Sequence, residues 1–310
     1  MSNKPFTPAA SLFGIAFIII VIGSYVIVAQ TSITGDWRAE ARGEDDGKVQ
    51  LNFERSTSHG HQNQSGFPMA LEDLQGLTRD QLQNGRVNFR IVREAGTIEC
   101  EGSFMDGRGS GTFRFIADPA FVERLRSRGF DLEKRSKDGH ELEDTLFTAA
   151  VVNVTTPLAD DIRSAGLGPL DVDDLFKAAI FHIDSRFMAE MKATGFPDLS
   201  MEDLVKARIF KIDADYVRQV RSMGFADQDL EGLVKFRIFK VTPEFLADVR
   251  AAGLTDLGRE DVVRLRIFNI GPNFIRAQKA KDPNVTVEDL VRTKIGVHRS
   301  RDPNDDDQVD

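Results

Sequence analysis

From residue 150 onward the apolar positions recur in a fixed phrase: Phe181 to Ile209, Phe210 to Ile238 and Phe239 to Ile267 are consecutive units of 29 residues. A repeat of this length marks stacked helix-turn-helix units, each of which buries its apolar face only against its neighbours. Phe187, Tyr216, Phe245 and Phe274 share one column of the repeat, as do Met191, Val220 and Val249, and these columns predict the inward side of a first helix. Asp184, Asp213 and Thr242 precede that helix, where a short oxygen-bearing side chain caps free backbone N–H groups. Gly166, Gly195, Gly224 and Gly253 end it, because a left-handed residue past the helix end is cheapest without a Cβ. Asp171, Ser200, Asp229 or Gly258 then opens a second helix that ends at Ile180, Ile209, Ile238 or Ile267.

The same register fits Val152 to Ile180 and, one residue short, Phe268 to Ile295. Upstream, Asp118-Pro119, Phe121, Leu125 and Gly129 match a first helix, and Leu146, Phe147 and Val151 a second, separated by an insertion around Lys134 to His140. The expectation is six units and twelve short helices over residues 117–298.

Before the array the period shortens to two. Val49, Leu51 and Phe53 alternate with polar neighbours, and so do Val87, Phe89 and Ile91, Ile98 and Cys100, and Phe113 and Phe115. This pattern predicts half-buried antiparallel strands. Trp37 lies on an expected first strand over Asp36 to Arg42, and Leu71 to Leu82 on a short helical crossover. Ala95-Gly96 and Asp106-Gly107 are turn points, so the last three strands form a meander. Residues 32–116 therefore read as a small antiparallel β domain, and the chain as α+β.

Leu12 to Val28 is an uncharged apolar run preceded by Lys4, near the lower length limit of a spanning helix. Residues 1–30 are expected to anchor the protein in a bacterial inner membrane with the body outside the cytoplasm. The alternative is a cleaved export signal, with Ile27-Val28-Ala29 as the processing site and a secreted body. Residues 299–310, with Asp305-Asp306-Asp307, read as a disordered acidic tail.

The net charge of -9 argues against nucleic-acid binding, which needs a basic stripe. The single cysteine, Cys100, excludes an internal disulfide and falls on the inward side of a strand, as a buried thiol. His140-Glu141 followed by Asp144 lacks the second histidine of a zinc-protease helix, and His59 and His61 occupy the polar stretch Ser56 to Gly66 without further ligands. Gly107-Arg108-Gly109-Ser110-Gly111 joins two strands instead of opening a helix, unlike a phosphate loop. No metal, cofactor or catalytic set is expected.

Glu202 with Lys206, Glu231 with Lys235, Glu260 with Arg264 and Glu288 with Arg292 are spaced for intrahelical pairing. Arg208, Arg237, Arg266 and Lys294 fall instead near the apolar stripe. They are the candidate partner-binding residues, as a basic groove for an acidic protein; the structural alternative is a ladder that satisfies helix-end carbonyls or pairs with Asp198, Asp227 and Asp256.

The segments Gly35-Asp36-Trp37, Leu74-Gln75-Gly76-Leu77 and Gly102 to Phe113, with repeats such as Thr242-Pro243-Glu244-Phe245 and Arg250-Ala251-Ala252-Gly253-Leu254, resemble exported regions of soil-bacterial proteins. Some of those regions are attached to antirepressor membrane metallopeptidases of the beta-lactam-sensor type. The resemblance implies an envelope protein in sensing or signalling. It transfers no catalysis, because the zinc motif and the several membrane helices of that family are absent from this sequence. The functional expectation is a non-catalytic scaffold for a protein partner; the alternative is an envelope enzyme or enzyme subunit with its site in the β-domain loops.

Overall fold

The computed structural model describes residues 32–41, 47–56, 62–137, 142–226 and 229–296, all within one compact unit. The apolar run Leu12 to Val28, the His59 and His61 pair, His140 and the tail 299–310 lie outside the described residues. Among the described residues no helix is long and apolar enough to cross a membrane.

Six antiparallel strands form one sheet: β1 (Ser32–Ala41), β2 (Lys48–Ser56), β3 (Gln62–Ala70), β4 (Asn84–Arg93), β5 (Gly96–Met105) and β6 (Arg108–Ala117), in the order β3-β2-β1-β6-β5-β4. Two meanders are thus joined through β1 and β6, with Trp37 opposite Gly111. The expected turns are present: Asp106 and Gly107, both at positive φ, make the two-residue turn between β5 and β6, and Arg93 pairs with Gly96 around the turn between β4 and β5. Leu71–Asp73 and Asp80–Leu82 are short 3₁₀ turns on the way from one sheet edge to the other.

Two expectations need correction. Of the stretch Ser56 to Gly66, read as polar and loop-like, Ser56 ends β2 and Gln62 to Gly66 begin edge strand β3, whose residues pair with β2 from Lys48↔Ala70 to Ser56↔Gln62. Its polar sequence hides the strand, because pairing on one edge is a backbone matter, and Pro68 is tolerated there for the same reason. Gly109 and Gly111, read as part of a segment that joins two strands, lie within strand β6 itself.

Those glycines have a packing cause. A Cβ on Gly102 would meet the Ser110 carbonyl and the Trp37 ring, and one on Gly111 would lie 1.9 Å from the Glu101 carbonyl. The facing pair Gly102↔Gly111 therefore makes the slot that Trp37 fills. The indole Nε1 donates to the Glu101 carbonyl at 3.1 Å, and the ring packs edge-on to Phe89 at 5.3 Å. Trp37, Phe53, Phe89, Ile91, Ile98 and Phe115 are fully buried on this face. Cys100 is buried with them as expected, and burial pushes its thiol pKa up.

Thirteen helices follow among the described residues. The first three are α1 (Ala120–Arg126), α2 (Leu132–Lys137) and α3 (Leu142–Val151). The expected count was twelve; the extra helix is α2, which the insertion in the first unit forms. Helix α3 closes the sheet, with Phe147 stacked on Phe113 at 5.3 Å and edge-on to Phe53 and Phe115. Sheet and helices share one continuous core.

The remaining first helices are α4 (Thr156–Ser164), α6 (Ser185–Ala193), α8 (Ala214–Ser222), α10 (Pro243–Ala251) and α12 (Pro272–Lys279). The second helices are α5 (Val172–Phe181), α7 (Met201–Ile209), α9 (Leu230–Ile238), α11 (Arg259–Ile267) and α13 (Val287–Lys294). Consecutive second helices pack on each other from α5 through α13. Caps fall where the sequence places them. Asp184, Asp213 and Thr242 accept from the N–H three residues on, and Asp171, Ser200 and Thr286 form capping boxes with Asp174, Asp203 and Asp289. Gly166, Gly195, Gly224 and Gly253 all take positive φ.

Candidate binding surface

The surface is built where each second helix hands over to the next unit, in the phrase Ile209-Phe210-Lys211-Ile212 and its repeats. A residue just past the helix end takes positive φ at Asn153, His182, Lys211, Lys240 and Asn269, near +50° to +59°. Asparagine and histidine enter that region more readily than lysine does. The conformation is held by a helix-ending bond of the Schellman type: the Ile212 N–H donates to the Ala207 carbonyl at 2.8 Å, and Val241 to Phe236 at the same distance. Ile183, Ile212, Val241 and Ile270 then plunge into the core.

The candidate cations lock this junction from the next unit. Arg208 donates to the His182 carbonyl at 2.5 Å, Arg237 to the Lys211 carbonyl at 2.6 Å, and Arg266 to the Phe239 carbonyl at 2.8 Å. Their guanidinium carbons lie 3.7, 3.5 and 4.6 Å from the ring centres of Phe187, Tyr216 and Phe245. Lys294 stands over Phe274 at 5.1 Å. Cation–π contact and charge-assisted bonding to a carbonyl act together at each of the three arginine rungs. The carbonyl partners fit the ladder alternative, at the start of each arginine's own unit; Asp198 and Asp256 take no part in it, and Asp227 lies outside the described residues. The Tyr216 hydroxyl is buried without a partner, and burial raises its pKa, with Arg237 opposing.

The charged face differs from the expected intrahelical pairs. Lys177 bonds to Glu202, Lys206 to Glu231, and Lys235 to Glu260 at 2.9 Å, each pair bridging two units. Of the four expected pairs only Glu288 with Arg292 forms within its helix. A repeat of 29 places a lysine 25 residues before the next unit's glutamate, and stacking brings these two columns side by side.

Beside this ladder stands an apolar row that contributes nothing to the core. Ile180, Ile209, Ile238, Ile267 and Ile295 are 41%, 55%, 51%, 48% and 52% exposed. Among the described residues only Val92 and Met105 are other large hydrophobic side chains with comparable exposure, so the row is not scattered surface apolarity. With packed helices about 8–10 Å apart, the five isoleucines make a strip about 32–40 Å long. Lys211 and Lys240, two residues past their isoleucines, are exposed and form no ion pair or side-chain hydrogen bond. The signal was present in the sequence: Ile209 lies seven residues after Glu202 and three after Lys206, on the charged face of its own helix.

The sheet offers a different setting. A cavity of about 650 Å³ at the β5–β6 turn is lined by Lys48, Arg79, Asp80, Gln83 and Asp106, without histidine, cysteine or hydroxyl side chains. Among the described residues no cluster of three or more histidine, cysteine, aspartate or glutamate side chains is placed to hold a metal. Comparison with known protein families, curated proteins and solved structures finds no match for this chain.

Proposed function

We propose that the protein is a non-catalytic binding scaffold whose 29-residue repeats form a solenoid and whose exposed isoleucine row is the contact strip for a protein partner. The row carries this reading: the array packs its aromatic columns against its core, yet leaves an isoleucine about half exposed at the end of five second helices. The unpaired ammonium groups of Lys211 and Lys240 beside the strip favour a partner segment that is apolar and acidic. The apolar run Leu12 to Val28 and Lys4 support placement of this strip outside the cytoplasm, in an envelope sensing or signalling role.

A photo-crosslinking residue at position 238 in the native host tests the strip against the same residue at the exposed position 186 on the first-helix side. A discrete protein adduct specific to position 238 is the expected result; equal labelling from both positions, or none, overturns it. A reporter active only outside the cytoplasm, fused after Asp310, tests the placement. Retention of residues 12–28 in the mature protein separates the anchor from the cleaved signal.

A further inference from the structure

The first helices carry a second cation ladder in which the three arginines bond to the unit before and the two lysines do not, and one lysine rung lacks the glycine contact as well. Arg163, Lys192, Arg221, Arg250 and Lys279 share one column of the repeat. Arg163 donates to the Arg128 carbonyl, Arg221 to the Thr194 carbonyl and Arg250 to the Met223 carbonyl at 3.2 Å, while Lys279 reaches the Pro283 carbonyl at 3.0 Å. Each of these cations also covers the glycine that ends the preceding first helix. A Cβ built on Gly129, Gly195, Gly224 or Gly253 meets Arg163, Arg221, Arg250 or Lys279.

At Lys192 both contacts are missing. Its ammonium has no hydrogen bond or ion pair among the described residues, and a Cβ on Gly166 meets nothing within 4 Å. The Ala165 carbonyl, the counterpart of Thr194 and Met223, receives no side chain. Lysine lacks the lateral fork with which arginine spans this gap. A cavity of about 260 Å³ opens at the vacancy, lined among others by Asp161, Ala165 and Lys192 and by Leu167, Met188 and Phe196. Ser185 Oγ donates to Asp161 Oδ2 at 3.0 Å, which leaves the other carboxylate oxygen open.

We propose that this cavity binds a free apolar amino acid. Its two charged walls are not paired with each other, so the complementary ligand carries both signs. Lys192 donates to the α-carboxylate, Asp161 and the Ala165 carbonyl accept from the α-ammonium, and Leu167, Met188 and Phe196 enclose the side chain. With water occupying about 30 Å³ per molecule, the space matches about nine non-hydrogen atoms, the size of leucine, isoleucine or methionine. The site lies on the first helices, apart from the isoleucine row, and does not depend on the scaffold reading.

Calorimetric titration of the full chain with L-leucine, 4-methylpentanoate and 3-methylbutylamine is the test, the last two each lacking one charge. Leucine is expected to bind at least about tenfold more tightly than either analogue, since each charge-assisted contact is worth that much or more. Lys192→Gln is expected to weaken leucine about tenfold with helicity unchanged. Lys192→Arg completes the rung, so it is expected to abolish leucine binding while raising the melting temperature. No binding of leucine, isoleucine or methionine, equal binding of a one-charge analogue, or undiminished leucine binding in Lys192→Arg overturns the proposal.

Discussion

The sheet and the repeat array reach a packed core by opposite routes. In the sheet one large residue meets one slot: Trp37 fills the space that Gly102 and Gly111 leave open, and strands from both ends of the segment, β1 and β6, must meet to build it. In the array a junction is written once and repeated, with the second-helix arginine of each unit over the first-helix ring and the opening carbonyl of that same unit. The slot is a single non-local fit, so its loss is global for the sheet. A rung closes within one unit, so its loss is local. Trp37 is the sole tryptophan, and its emission reports the sheet separately from the helical circular dichroism.

The largest expected effect comes from the slot. Gly111→Ala places a Cβ 1.9 Å from the Glu101 carbonyl and 2.6 Å from Gly102 Cα, and neither is a flexible side-chain end. A loss of about 3 kcal/mol or more is expected in urea unfolding, the upper range for overpacking. The Trp37 emission transition should fall further than the helical transition; equal shifts would mean that slot and array unfold as one body.

Next comes Arg237→Met, which keeps the stem but removes the bond to the Lys211 carbonyl and the contact with Tyr216. A loss of about 1–3 kcal/mol is expected, seen in the helical signal and little in Trp37 emission. Arg237→Lys should not restore it, because an ammonium cannot both lie flat on the ring and reach the carbonyl. Unchanged stability with lost partner binding would instead favour the basic groove.

These two sites differ in how far they could be read from residues alone. The alternation around Phe89, Cys100 and Phe115 and the capping residues Asp184 and Ser200 announce themselves, because burial on one face and capping are decided within a few residues. Strand β3 does not, since Gln62 to Gly66 earns its place by pairing with β2 and not by pattern. Nor do the rungs: Arg237 to Lys211 spans 26 residues, and only the folding of a unit's second helix back onto its own start brings them together. The exposure of the isoleucine row is legible only from its spacing to the charged positions, as Ile209 to Glu202 and Lys206, because ending a helix and facing its core are separate facts.

A smaller effect on stability is expected from Ile209→Gln with Ile238→Gln together. Both side chains are about half exposed, so the melting temperature should stay within the change produced by about 0.5 kcal/mol per site. The adduct formed from a crosslinker at position 267, on the same row, should nevertheless disappear. A marked destabilisation would return the row to the core and remove its claim as a contact strip.

The smallest effect decides which charges pair. Lys235 bonds to Glu260 of the next unit at 2.9 Å, whereas Glu231, one helical turn before it, bonds to Lys206. A double-mutant cycle between Lys235 and Glu260 should therefore give a coupling of about 0.2–1 kcal/mol, and one between Lys235 and Glu231 should give less. Both partners are well exposed, so the coupling should fade in about 1 M salt. The same geometry has a pH signature. Hydrogen bonds that Lys177 and Lys206 donate to Glu202 and Glu231 raise the pKa of the two lysines, with burial opposing. A raised lysine contributes its stabilisation fully below the unfolded value of about 10.4 and loses it as pH rises through the folded value. The melting temperature of the array should accordingly fall above about pH 10, and less steeply once Glu202 and Glu231 are both replaced by Gln. An identical fall in that double variant would show that the stacked ion pairs add nothing across the units, and would leave the arginine rungs and the buried columns as the array's whole cohesion.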